Sequence, residues 1–183
     1  MAKLVSQVYG EALFSLAVES GKLALFSEEL GEVLEILKSN PEFRAILQHP
    51  QLDEPEKLEV FDRVFAGRIS GEVTGFFHIL LEKGRFGDLE SILEYFEQKR
   101  LEHDRIGVAW VTSAVELSKD QKEKIEDKLL STTDFVSMQM HYETDPALIG
   151  GLKVRIGDRV VDSSIQNKLN DMKSKLMKIQ LSI

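Results

Sequence analysis

Apolar residues in the first hundred positions recur at three- and four-residue intervals, again and again. Val5, Val8, Tyr9, Ala12, Leu13, Leu16 and Ala17 share this spacing, which predicts an amphipathic helix with these residues as its buried stripe. Leu23, Phe26, Leu30, Val33, Leu34 and Leu37 predict a second helix that ends near Ser39–Asn40. Pro41 suits the first position of a third, with Phe43, Ile46 and Leu47, because a helix start has no use for that backbone N–H. His49–Pro50 breaks the pattern, and Pro55 opens a fourth helix with Leu58, Phe61, Val64 and Phe65 inward. After Gly67 and Gly71, a fifth carries Val73, Phe76, Phe77, Leu80 and Leu81. Gly84 stops it, and a sixth follows with Phe86, Leu89, Ile92, Leu93 and Phe96. Six short helices, each with one apolar face, predict a bundle.

From Arg105–Ile106 the pattern changes. Val108, Trp110 and Val111 begin a β-branched and aromatic run typical of a strand. Ser118 with Gln121 forms a capping box that opens a helix holding Ile125, Leu129 and Leu130. Phe135, Val136, Met138 and Met140 predict a second strand, followed by a turn at Asp145–Pro146. Gly150–Gly151 leads into Leu152, Val154 and Ile156, which alternate with Lys153 and Arg155 as a half-buried strand does. Gly157–Asp158 reads as a hairpin turn into Val160–Val161. Ser163–Ser164–Ile165–Gln166 offers a second capping box, Ser163 being the cap, for a last helix with Ile165, Leu169, Met172 and Leu176 on one side. The expected fold is α+β overall. An all-α six-helix bundle over 1–105 precedes a small α+β domain over 106–183, ordered strand, helix, strand, hairpin, helix.

Composition narrows the possible functions. The chain has no cysteine, which removes disulfides, thiolate nucleophiles and cysteine-bound metals. With 43% apolar and 30% charged residues it falls in the ordinary globular range. Met1-Ala2-Lys3-Leu4-Val5 starts neither a signal-peptide core nor a transit peptide, and apolar runs stay far below the ~18 residues of a membrane span. The expectation is a bacterial protein that reaches a membrane only through a partner. Net charge is −8, and it is unevenly placed. Residues 1–105 hold 12 Lys/Arg against 20 Asp/Glu, while the remainder holds 11 of each. An acidic bundle repels phosphate backbones, so nucleic acid is not an expected partner.

Few residues point to chemistry, and none is expected to be catalytic, cofactor-binding or metal-binding. A phosphate loop opens onto a helix, whereas Gly150–Gly151 leads into a strand and reads as a turn. His49, His78, His103 and His141 lack the close spacing of helical metal sites, and His78 reads as a half-buried histidine with one hydrogen-bond partner. Glu28, Glu29, Glu32 and Glu35 read as the solvated face of the second helix, and Asp53, Glu54 and Glu56 as acids at a helix start. The serines are accounted for by caps, and no Gly-x-Ser-x-Gly elbow is present. In the first helix, Ala12 and Ala17 are small residues beside Tyr9. They let another helix approach closely, either within the bundle or as a partner's helix in a groove between helices one and five, to which Ile79 adds an apolar residue. Lys168, Lys173, Lys175 and Lys178 against Asp171 make the last helix basic. They suit an acidic partner, or solvent and the helix dipole.

Several ordered motifs together resemble a known family. They are Tyr9-Gly10-Glu11-Ala12-Leu13-Phe14, Asn40-Pro41-x-Phe43, His49-Pro50, Glu82-Lys83-Gly84-Arg85, and Leu148-Ile149-Gly150-Gly151-Leu152 with Gly157-Asp158-x-Val160-Val161-Asp162. The series is similar to the delta subunit of F-type ATP synthase, which is related to the mitochondrial oligomycin-sensitivity-conferring protein. Ser163 stands where many relatives have glycine, a change confined to one turn. The resemblance implies a non-catalytic stator subunit of the peripheral stalk, on the cytoplasmic face of the bacterial plasma membrane. It implies that the bundle holds the N-terminal helix of an alpha subunit, at a groove that carries over to Tyr9, Ala12, Leu13, Phe76, Ile79 and Leu80. It further implies that the second domain joins the C-terminal region of the b-type stalk. The residues alone leave two other readings open, a helical RNA-binding module and a hydrolase or transferase with a polar pocket.

Overall fold

Glycine at position 10 shows how tightly the helices of the bundle are drawn together. A Cβ there would lie 2.6 Å from the Tyr95 ring and 3.1 Å from the Ile92 carbonyl. In this computed structural model, which describes residues 2–49, 51–65 and 67–180, the helices are α1 (Ala2–Glu19), α2 (Leu23–Ser39), α3 (Pro41–Gln48), α4 (Glu54–Phe65), α5 (Gly71–Glu82) and α6 (Leu89–His103). A 3-10 turn, Phe86–Asp88, precedes α6 and takes in Phe86, which the periodicity assigns to the helix itself. Pro50, expected at the break after α3, lies outside the described residues. The chain divides into two compact units, Met1–Arg100 and Leu101–Ile183, so the last turn of α6 groups with the second.

The core of the first unit is a chain of aromatic rings. Phe43 meets Phe65 at 6.1 Å, Phe65 meets Phe61 at 4.6 Å, Phe61 meets Phe77 at 5.0 Å, and Phe77 meets Phe86 at 6.5 Å between ring centroids. Phe26, Phe61, Phe65, Phe77 and Phe96 are each 2% exposed or less, with Leu13, Leu47, Leu80 and Ile92 packed among them. Each such ring buries a large apolar area, and offset or edge contacts add about 0.5–1.5 kcal/mol per pair. The predicted inward faces of α2, α4, α5 and α6 are therefore the real ones; on α3 Leu47 is buried and Phe43 packs on the core, while Ile46, expected with them, is 42% exposed.

The second unit comprises β1 (Ile106–Ser113), α7 (Lys119–Thr132), β2 (Ser137–Thr144), a 3-10 turn (Pro146–Leu148), β3 (Leu152–Ile156), β4 (Arg159–Asp162) and α8 (Ile165–Gln180). The element order matches the expectation, although Phe135 and Val136 precede β2 rather than lying in it. The strands form one mixed sheet in the order β2-β1-β3-β4. β1 pairs parallel with β2 through the α7 crossover and antiparallel with β3, placing Trp110 between His141 and Arg155. The capping box is present at α7: Ser118 N donates to Gln121 Oε1 at 2.9 Å and Gln121 N donates to Ser118 Oγ at 3.4 Å. At α8 the cap is shifted by one residue from Ser163. Ser164 Oγ accepts from Asn167 N at 3.1 Å, and Asp162 Oδ1 accepts from Ser164 N at 2.9 Å. Ser163 N is instead used in pairing with the Leu152 carbonyl. Gly151 is a structural turn as expected: its φ is +82°, and a Cβ would lie 2.5 Å from the Ser163 carbonyl.

Candidate functional site

The six residues assigned to a partner groove separate into two layers. Leu13 and Leu80 are 1% and 0% exposed, and Phe76 is 8% exposed, so these three belong to the bundle core. Tyr9 is half-buried against that core. Ala12 lies at the surface, and Ile79 is 47% exposed. α1 and α5 both pack on α2 and on the Phe86–Asp88 turn.

The single stripe predicted for α1 proves to be two. Leu13 and Ala17 face inward with Ser6 and Gly10, while Val8 and Leu16, expected in the core, are 59% and 40% exposed. With Leu4, 67% exposed, and Ala12 they form an outward apolar row at four-residue spacing. The physical reason is the inner contact with α6. Gly10 rests against Tyr95, and the Tyr95 hydroxyl donates to Glu11 Oε2 at 2.9 Å with Lys99 Nζ 3.8 Å from the same oxygen. That seam rotates α1 so that a face too apolar for solvent is left outside. The sequence signal was present in Leu4, four residues before Val8, which a single-stripe reading passes over.

α5 is positioned from α2. Glu29 was expected on a solvated face, yet it is 7% exposed. Its carboxylate accepts from Ser70 N at 2.9 Å and from Ser70 Oγ at 2.6 Å, satisfying the start of α5 from outside that helix. Ser70 makes no local cap of its own. Lys22 Nζ pairs with Glu72 in the first turn of α5, and this hydrogen bond, with one from the Glu72 backbone, holds the Glu72 carboxyl below the ordinary carboxylate range. Only tertiary folding brings Glu29 to Ser70, so no local pattern could reveal the pair.

The remaining polar groups have plain structural roles. His78 Nε2 lies 2.7 Å from Asp62 Oδ1 and its ring meets Phe61 edge-on, which matches the half-buried, singly partnered histidine expected. Among the described residues no group of His, Asp and Glu is arranged to hold a metal ion. On α8, Ile165, Leu169, Met172 and Met177 are 44–62% exposed, so its apolar side is uncovered; the side chains of Leu176, Lys175 and Lys178 lie outside the described residues. The second unit also leaves Trp110 44% and Val160 52% exposed. Among the described residues no helix is long and apolar enough to cross a membrane.

A bundle with apolar rows turned outward, joined in one chain to a sheet unit with uncovered apolar faces, is the construction of an adapter protein. A sequence model of the ATP synthase delta (OSCP) subunit matches residues 5–176. The chain is 49% identical over 181 residues to ATP synthase subunit delta of Lachnoclostridium phytofermentans, covering 99% of this chain and 100% of that one. It is 32% identical over 178 residues to ATP synthase subunit delta of Clostridium kluyveri, covering 97% and 98%. A chain of the Toxoplasma gondii mitochondrial ATP synthase hexamer shares the fold at a TM-score of 0.69 and 20% identity, over 94% of this chain and 97% of that one. The chain therefore belongs to the ATP synthase delta (OSCP) family and is a non-catalytic subunit of the peripheral stalk of F-type ATP synthase.

Proposed function

We propose that this subunit ties the catalytic head to the stalk by its two ends. The bundle takes the N-terminal helix of an alpha subunit, and the second unit joins the C-terminal region of the b-type stalk. The complex then stands on the cytoplasmic face of the bacterial plasma membrane. The observation that carries the reading is the outward row of Leu4, Val8, Ala12 and Leu16 on α1, with Ile79 on α5. An apolar row of this kind accepts the apolar face of an amphipathic helix, with anchors repeating every turn. Tyr9, Leu13, Phe76 and Leu80 act beneath it, as the floor that sets where Ala12 and Ile79 stand. Two attachment points suit a link under repeated torque. While one end is held, the other rebinds as an intramolecular event, which raises retention with no new contact.

Calorimetric titration of the full-length chain with a peptide of the first ~20 residues of the same organism's alpha subunit, about 30 Å of helix, tests the bundle end. One-to-one saturable binding is expected, weakened by Ala12→Asp or Ile79→Asp with the far-UV circular dichroism unchanged. Absence of binding up to about 1 mM, an affinity of roughly 4 kcal/mol or less, would remove the groove.

A further inference from the structure

β1 is apolar on both of its faces, and the folded unit covers only one. Ala109 and Val111 are 0% and 1% exposed. α7 lies on their side, where Tyr142, the register partner of Val111, donates its hydroxyl to the Lys122 carbonyl at 3.4 Å and carries the Lys122 ammonium 4.8 Å from its ring. On the opposite side Val108 is half-buried and Trp110 is 44% exposed. Strands covered on both faces read as continuous apolar runs. Ile106-Gly107-Val108-Ala109-Trp110-Val111 is such a run, with one face only partly covered.

The side chains around Trp110 define what would cover it. The His141 ring stacks on the indole at 4.2 Å and 18°, and the Arg155 guanidinium carbon sits 5.6 Å from the indole centre. Val160, the register partner of Arg155, extends the face to the edge strand at 52% exposure. Lys153 and Arg155 make no ion pair among the described residues. Asp162, opposite Lys153, is engaged by Ser164, and Glu143 stands two strands away. The face is therefore an apolar and aromatic centre flanked by Arg155, which makes no ion pair among the described residues, while Lys153 at its end faces the Asp162 carboxylate. Tryptophan and arginine held in this way are the residue types that carry most binding energy at interfaces.

We propose that this open face is where the stalk docks, through an amphipathic helix whose apolar side covers Val108, Trp110 and Val160 and whose acidic flank meets Arg155. The inference rests on the reading that the second unit joins the b-type stalk. It selects the sheet face over the uncovered side of α8. Charge complementarity at Arg155 orients the helix, and the flat indole anchors it.

Trp110 is the only tryptophan in the chain, so its emission reports this face alone. The test titrates the full-length protein with a tryptophan-free version of the water-soluble portion of the same organism's b-type stalk subunit, following association by sedimentation and Trp110 emission in parallel. The expected result is a saturable change in emission with association. Arg155→Glu should weaken binding about tenfold or more, with Val160→Asp as an independent check at an exposed position and far-UV circular dichroism unchanged in both. If the fragment associates but Trp110 emission stays flat, or both variants bind as the parent does while Leu169→Asp on α8 abolishes binding, the sheet face is not the site and the stalk reading survives. If the parent does not associate at all, the stalk reading falls and this placement with it.

Discussion

The two units solve the problem of burial differently. Among the described residues, nineteen buried apolar side chains form one core in the bundle, whereas the second unit buries four, Ala109, Val111, Met138 and Leu148. The bundle leaves apolar groups uncovered in an outward row on α1 and at Ile79, with Val18, Leu25 and Ile46 exposed besides; the sheet unit leaves them on β1, on β4, along α8 and at Val115, Val136 and Ile149. Apolar burial is the main favourable term in folding, so the bundle carries far more of its stability internally than the sheet unit does.

Phe61→Ala breaks the comparison most sharply. Phe61 is fully buried between Phe65 and Phe77, and its loss should cost the bundle about 3–5 kcal/mol. Thermal melting followed by far-UV circular dichroism should show the bundle transition falling, while the transition followed by Trp110 emission stays in place. A common shift in both signals would mean that the units unfold as one. Next in size is Glu29→Gln. Replacing a buried carboxylate that accepts twice from Ser70 should cost about 1–3 kcal/mol, and amide hydrogen exchange should rise first at the start of α5. Uniform loss of protection across the bundle would show that Glu29 does not act on α5 in particular.

The smallest effect belongs to the second unit and is set by pH. The Ser164 hydroxyl and backbone N–H hold the Asp162 carboxyl below the ordinary carboxylate range. A carboxyl lowered by folding contributes stability at neutral pH, and that contribution fades as pH falls through its folded value. The Trp110-reported midpoint should therefore decline in acid more steeply than in Asp162→Asn, measured at matched ionic strength. Identical acid limbs would remove Asp162 from the account.

Much of this was legible in the chain because periodicity reports burial, and burial decides helices. The inward faces of α2, α4, α5 and α6 follow directly from Phe26, Phe61, Phe77 and Ile92, and the capping box at Ser118 follows from one short motif. α1 was only half legible. Its spacing fits two adjacent stripes, and Gly10 meeting Tyr95 decides between them at a distance no local pattern encodes. Glu29 was unreadable for the same reason, since an acid on a helix face looks solvated until its partner is known. The cap at α8 was displaced by one residue because Ser163 is taken by the sheet. Of the proposed groove, Ala12 and Ile79 stand at the surface, and the deeper four residues were recognisable only as apolar.

The central strand of the sheet is also the first to be made. β1 leaves the ribosome before either of its partners, which begin at Ser137 and Leu152. At ~5–20 residues per second, the apolar run Ile106–Val111 waits roughly 2–10 s for β3. Until β2 follows, it is a short, uncharged, β-prone segment with both edges unpaired, and one edge stays open until β3 arrives, which makes it apt to pair with a neighbouring chain. The bundle, already synthesised ahead of it, is acidic, and like charge on every nascent copy keeps those copies apart. The uneven charge of the sequence thus opposes mispairing at the stage when the strand still lacks its partners.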